Sequence, residues 1–138
     1  MEVEGIDHVA LSVRDVERAA QWYIETLGFE HRYKDAWDGV PTFIGKGTTA
    51  IALFPIWSNE GSTSSSGSGM HHLALRADRK NFEIAQEELK CRGIKFEFQD
   101  HEISHSIYFR DPDGHKLEIT TYELEGATPK PRDGGPAP

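Results

Sequence analysis

Two stretches of the chain alternate apolar and polar residues and then pass into a helical period. In "DHVALSVRD" (Asp7 to Asp15), Val9, Leu11 and Val13 fall on one face of a predicted strand, and His8, Ala10 and Ser12 on the other. In "HHLALRADR" (His71 to Arg79), Leu73 and Leu75 share a face, and His72 and Ala74 lie opposite. The positions align: His8 with His72, Val9 with Leu73, Ala10 with Ala74 and Leu11 with Leu75. After the first stretch, Val16, Ala19, Ala20, Tyr23 and Leu27 recur at helical spacing, with Asp15 as N-cap and Gly28 just past the end. After the second, Phe82, Ala85 and Leu89 form one stripe, with Asn81 expected as the cap and Gly93 closing the helix. The closing glycines lie about as far apart as the two histidines, which reads as a tandem duplication.

Strand-like segments follow each helix. They are "FEHRYKDAW", "PTFIGK" and "TTAIALFPI" in the first half, and "IKFEFQDH", "SHSIYFR" and "HKLEITTYE" in the second. Each half therefore reads β-α-β-β-β, and the expected class is α+β. The first module is expected over residues 1–57 and the second over 70–123. Residues 58–69, rich in Ser and Gly, are expected as a linker or a flap over a site, and 124–138 as a disordered tail.

Composition narrows the function classes. The 138 residues carry a formal charge of -8, and the pI is about 5.3, which argues against a nucleic-acid partner or an anionic membrane surface. No apolar run is long enough to span a bilayer, and the start lacks the pattern of a secretory signal. A single cysteine, Cys91, has no internal partner, so a reducing cytoplasm is the expected location.

The chemistry lies on the faces turned away from the helices. In the final strand Leu117 and Ile119 point inward, leaving Lys116, Glu118 and Thr120 opposite. In the strand before it, Ser106, Tyr108 and Arg110 share the face of Glu118. Two imidazoles, His8 and His72, and the Glu118 carboxylate make the ligand set of a facial triad, which holds a divalent metal and leaves positions open. The alternative is a Glu118 that pairs with Arg110 or is solvated.

The segments "HVALSVRDVERAAQWYIETLGF", "HHLAL" and "SIYFRDPDGHKLEI" resemble the vicinal oxygen chelate superfamily. That superfamily includes glyoxalase I, fosfomycin-resistance thiol transferases, type I extradiol dioxygenases and bleomycin-resistance proteins. The resemblance implies two βαβββ modules whose mixed sheets form cups around a divalent ion (Mn, Fe, Zn, Ni or Co). His8, His72 and Glu118 would be its ligands. It also implies a homodimer with shared sites, each taking His8 from one chain and His72 with Glu118 from the other.

Departures from the family patterns separate its branches. Glyoxalase I uses a second glutamate where this chain has "TTAIALF", near Ala52, so that activity is not expected. The fosfomycin-resistance enzymes are similar around Ser106 and Tyr108, but Ala10 replaces their threonine and their late arginine falls near Ala127. Extradiol dioxygenases share the ligand set on a longer chain, with additional His and Tyr residues that His101, His105 and Tyr108 would have to supply. His31, His71 and His115 are expected to be ordinary.

The expected function is a metal-dependent enzyme acting on a small oxygen-chelating molecule, as a thiol transferase, lyase or dioxygenase. Tyr108 would be the acid or hydrogen-bond donor, Ser106 an orienting hydroxyl and Arg110 an anion anchor. The alternative is a metal-free protein that sequesters a drug, as bleomycin-resistance proteins do.

Overall fold

The computed structural model describes residues 1–56 and 69–124. The linker or flap and the tail therefore lie, but for their edge residues 69 and 124, outside the described residues. The chain forms two compact units, each a four-stranded mixed sheet with one helix. The α+β class with two βαβββ repeats is the fold observed.

Among the described residues, the first unit contains 1–56 and 69 together with the turn 111–114. Its strands are β1 (Val9–Val13), β2 (Glu30–Arg32), β3 (Thr42–Lys46) and β4 (Thr49–Pro55), in the order β1-β4-β3-β2. β1 runs parallel to β4, and the other pairs are antiparallel. Helix α1 (Val16–Leu27) starts where the Asp15 side chain accepts from the Arg18 amide at 3.0 Å. It stops at Gly28, whose φ of 71° suits a residue with no Cβ. Ala19, Ala20 and Tyr23 are buried on the helix, as are Leu11, Val13, Ile44, Ile51 and Leu53 on the strands. Each Val, Leu or Ile side chain removed from water this way contributes about 1.5–3 kcal/mol.

The turn 111–114 is fastened within this first unit. The buried Tyr23 hydroxyl donates to Asp111 Oδ2 at 2.7 Å. Asp113 Oδ1 accepts from the Arg14 amide at 2.9 Å and from Arg14 Nε at 3.0 Å. The "DPDG" segment thus binds a helix and a strand end far from it in sequence.

Among the described residues, the second unit contains 70–110 and 115–124. Its strands are β5 (Leu73–Arg76), β6 (Glu97–Asp100), β7 (His105–Arg110) and β8 (Lys116–Thr121), in the order β5-β8-β7-β6. β5 and β8 are parallel, repeating the pairing of β1 with β4. Helix α2 (Arg79–Cys91) begins earlier than its apolar stripe suggested. Asp78, not Asn81, is the N-cap, because its carboxylate accepts from the Asn81 amide at 2.8 Å and places Asn81 inside the first turn. Phe82 and Leu89 are buried on the helix, and Ile107, Phe109, Leu117 and Ile119 on the strands.

Candidate functional site

Glu118 lies in the middle of β8, the central strand paired with both β5 and β7. Leu117 and Ile119 on either side of it are buried, so alternation sends Glu118 to the face away from α2. Its register partners are Ala74 on β5 and Tyr108 on β7. Only 8% of the residue is exposed, which overturns the alternative of a solvated carboxylate. An ionised carboxylate this buried requires compensation.

The compensation comes from two named partners. His72, just ahead of β5, places Nε2 2.8 Å from Glu118 Oε1. The fully buried Ser106 donates its hydroxyl to Glu118 Oε2 at 2.6 Å, and its oxygen lies 3.0 Å from Thr120 Oγ1. His72 is also contacted by His71, Nδ1 to Nδ1 at 2.8 Å. With His72 Nε2–H donating to Glu118, the Nδ1 pair is satisfied by a hydrogen on either His71 or His72. His71, expected to be ordinary, therefore touches a candidate ligand directly.

Tyr108 stands beside this pair, its ring 5.8 Å from that of His72 and nearly perpendicular to it. Its hydroxyl lies 3.0 Å from His101 Nε2, and Lys116 Nζ sits 4.8 Å from its ring centroid. Desolvation, followed by the charge of Glu118, raises the Tyr108 phenol above its ordinary range. The phenol therefore stays a hydrogen-bond donor at neutral pH. Arg110, exposed at the end of β7, pairs in register with Lys116.

His105 belongs elsewhere. It shares the parity of Ile107 and Phe109, with Nδ1 2.9 Å from Arg79 Nη2 on α2. It is not available as a partner for Tyr108, because alternation puts it on the helix face.

In the first unit His8 precedes β1 as His72 precedes β5. Its Nδ1 lies 2.8 Å from Asp7 Oδ2, so Nε2 is the ring nitrogen that could face a ligand. The His8 ring lies 5.0 Å from that of Phe43. Register makes the repeat explicit: Ala52 pairs with Ala10 and Phe43 as Glu118 pairs with Ala74 and Tyr108. The counterpart of Glu118 in the first unit is thus Ala52, a side chain with no donor atom.

The chain matches the family model for the glyoxalase/bleomycin resistance protein/dioxygenase superfamily across residues 5–119. It belongs to that superfamily. As a member, it is 29% identical over 133 residues to the catechol-2,3-dioxygenase of Bacillus subtilis, covering 94% of this chain but only 45% of the relative's length. It is 28% identical over 133 residues to the metallothiol transferase FosB of Staphylococcus epidermidis, covering 91% of this chain and 87% of that protein. Among solved structures, a lactoylglutathione lyase from Agrobacterium tumefaciens superposes with a TM-score of 0.73 at 21% identity, covering 92% of this chain and 100% of that one. The fosfomycin resistance protein FosX from Mesorhizobium loti gives 0.64 at 23% identity, covering 89% and 96%. These two structural likenesses speak to the fold alone.

Among the described residues of one chain, no three His, Cys, Asp or Glu side chains gather as a set that could hold a metal. The superfamily member does bring two nitrogen and oxygen donors side by side in His72 and Glu118. A neutral imidazole and a carboxylate suit a divalent first-row ion. The donor pair fits such an ion. No helix among the described residues is long and apolar enough to cross a membrane.

Sequence reading missed the contacts made by Asp7, His71, His101 and Lys116. Lys116 shares the parity of Glu118, and Asp7 and His71 are immediate neighbours of the candidate ligands, so all three had a local signal. His101, named with Tyr108 as a residue a dioxygenase would need, meets it because the turn between β6 and β7 brings it back.

Proposed function

We propose that this chain is a divalent-metal-dependent enzyme acting on a small molecule that presents two adjacent oxygens. The observation that carries this reading is the buried Glu118 held between His72 and Ser106. His72 and Glu118 would hold the ion, and His8 of a second copy of the chain would be the third ligand. A divalent ion bound there supplies Lewis acidity to adjacent substrate oxygens and, against one carboxylate and two neutral imidazoles, leaves the site positive.

The protein's own groups then have defined tasks. Ser106 holds Glu118 Oε2 and so fixes which oxygen faces the cup. Tyr108 keeps its proton and donates it to a substrate oxygen, while His101 orients the phenol. Arg110 and the neighbouring Lys116 offer cationic groups to an anionic substrate. Within the superfamily, the similarity to a catechol dioxygenase and to a metallothiol transferase supports oxygen-chelating substrates. Ala52 at the counterpart of Glu118 supplies neither a fourth ligand nor a base, which argues against hemithioacetal isomerisation.

The test is the metal content of purified protein. About one divalent ion per chain is expected, bound as isolated or on addition, and His72→Ala should lose it. Unchanged stoichiometry in His72→Ala and Glu118→Ala would refute this ligand set, and a wild-type chain that binds no divalent ion would favour the metal-free sequestering protein. Strong lactoylglutathione lyase activity would refute the argument from Ala52.

A further inference from the structure

Three aromatic residues of the first unit have no task in the chemistry described above. Tyr33, Trp37 and Phe43 pack ring against ring, with centroids 5.8 Å apart for Tyr33–Trp37, 5.6 Å for Tyr33–Phe43 and 5.2 Å for Trp37–Phe43. Despite these contacts Tyr33 is 62% exposed and Trp37 52% exposed. Rings that close on one another yet remain this open present a ready-made aromatic surface.

The backbone holds them there at a conformational cost. Tyr33, Trp37 and Asp38 have φ of 55°, 57° and 50°, a region that bulky side chains rarely adopt. Outliers of this kind persist only where the surroundings enforce them, and they gather at ligand clamps. Here the loop is braced by Ala36 N–H donating to the Tyr33 carbonyl at 3.0 Å and Val40 N–H donating to the Trp37 carbonyl at 3.1 Å. These two bonds brace the backbone that carries Tyr33 and Trp37.

Position gives the cluster a purpose. Phe43 pairs in register with Ala52, and Ala52 with Ala10, so small side chains lie in the row beside the aromatic one. In the second unit the same row carries Tyr108, Glu118 and Ala74. The aromatic cluster therefore borders an apolar row where its repeat borders a carboxylate. Phe43 also touches the ring of His8, whose Nδ1 is engaged by Asp7 and whose Nε2 is left for a ligand.

We propose that Tyr33, Trp37 and Phe43 form a wall that binds the planar ring of an aromatic substrate, directing two adjacent oxygens on that ring toward His8. This deepens the vicinal-oxygen reading, and rests on it, by naming the substrate class as aromatic compounds with neighbouring oxygens. A flat ring is the occupant favoured. The Tyr33 ring stands at 78° to Trp37 and at 75° to Phe43, which offers ring faces and edges at right angles to a single planar guest. The exposed charges of Lys34, Asp35 and Asp38 in the same loop disfavour burial against a second protein surface.

The experiment uses the full chain without metal and follows its tryptophan indole N–H signals by NMR. The Trp37 signal is identified by its loss in Trp37→Phe. Titration with 4-nitrocatechol should move the Trp37 signal and leave that of Trp22 in place. Glycolate, which has neighbouring oxygens but no ring, should move neither. Trp37→Ala should weaken 4-nitrocatechol binding roughly two- to tenfold, the size of one lost aromatic pair. Tyr33→Ala should act likewise, and thermal melting checks that both variants stay folded. An unmoved Trp37 signal, or wild-type affinity in both variants, would overturn the wall. So would a Trp37 signal that responds to protein concentration and not to 4-nitrocatechol, since a second copy would then be the occupant. Metal is absent from these measurements, so failure of the donor set, read by metal content in His72→Ala, is scored separately.

Discussion

His72 Nε2 lies 2.8 Å from Glu118 Oε1, although the two residues are separated by a helix and three strands of the repeat. The parallel pairing of β5 with β8 brings them together, because Leu73 sits beside Leu117 and the flanking residues follow in register. A carboxylate this deeply placed has one oxygen on an imidazole and the other on a serine hydroxyl. Removal of either partner leaves a buried acceptor underserved, which makes the pair testable from several directions.

His71→Ala should lower divalent-metal affinity by about 10–100-fold while leaving stoichiometry near one per chain, the usual effect of removing a group that orients a ligating histidine. The contact responsible is its Nδ1, 2.8 Å from Nδ1 of His72. Calorimetric titration of wild type and variant with the same ion provides the comparison. Equal affinities would return His71 to the status of a surface residue.

Tyr108→Phe should reduce turnover of the true substrate roughly 10²–10⁴-fold, the size of a general acid–base contribution, with metal content unchanged. The prediction rests on the placement of the phenol, its ring 5.8 Å from that of His72 and its hydroxyl 3.0 Å from His101 Nε2. Steady-state rates with metal analysis on the same samples check it. A wild-type rate would remove the acid role and spare the metal site.

The shared-site arrangement predicts complementation. His8→Ala and Glu118→Ala proteins, each metal-deficient alone, should recover part of the metal sites when mixed under conditions of subunit exchange. Intact ligand sets can then form across mixed dimers. Light scattering should give the mass of a dimer; a monomer with full metal occupancy would exclude sharing.

Alkaline stability should report on Tyr23. Burial, then its hydrogen bond to Asp111, raises this phenol far above the ordinary tyrosine value of 10.0. A raised folded-state value means that the contribution is complete below pH 10 and declines above it, where the unfolded chain loses a proton that the folded chain keeps. The slope from this one group is about 1.4 kcal/mol per pH unit. Tyr23→Phe should remove that part of the slope and lower stability at neutral pH by about 1–3 kcal/mol, since Asp111 loses a donor. Urea denaturation between pH 7 and 11 measures both effects.

Much of this protein was written in its local pattern. The apolar alternation of Val9, Leu11 and Val13, and again of Leu73 and Leu75, fixes which side of each strand meets its helix. The repeat of those strands determined the βαβββ order, and parity alone put Glu118, Ser106 and Tyr108 on one face. Asp15 and Gly28 bounded α1 because capping chemistry is local, whereas Asp78 took the cap of α2 because its carboxylate reached the Asn81 amide first. What the tertiary structure decided was which residues on a face meet. Pairing of β5 with β8 chose His72 as the partner of Glu118, and the turn between β6 and β7 returned His101 to Tyr108. The same is true of Tyr23 and Asp111, a buried bond between residues 88 positions apart. Side-chain direction follows from the alternation of a single strand, while contact depends on register and chain return, which no short window of sequence contains.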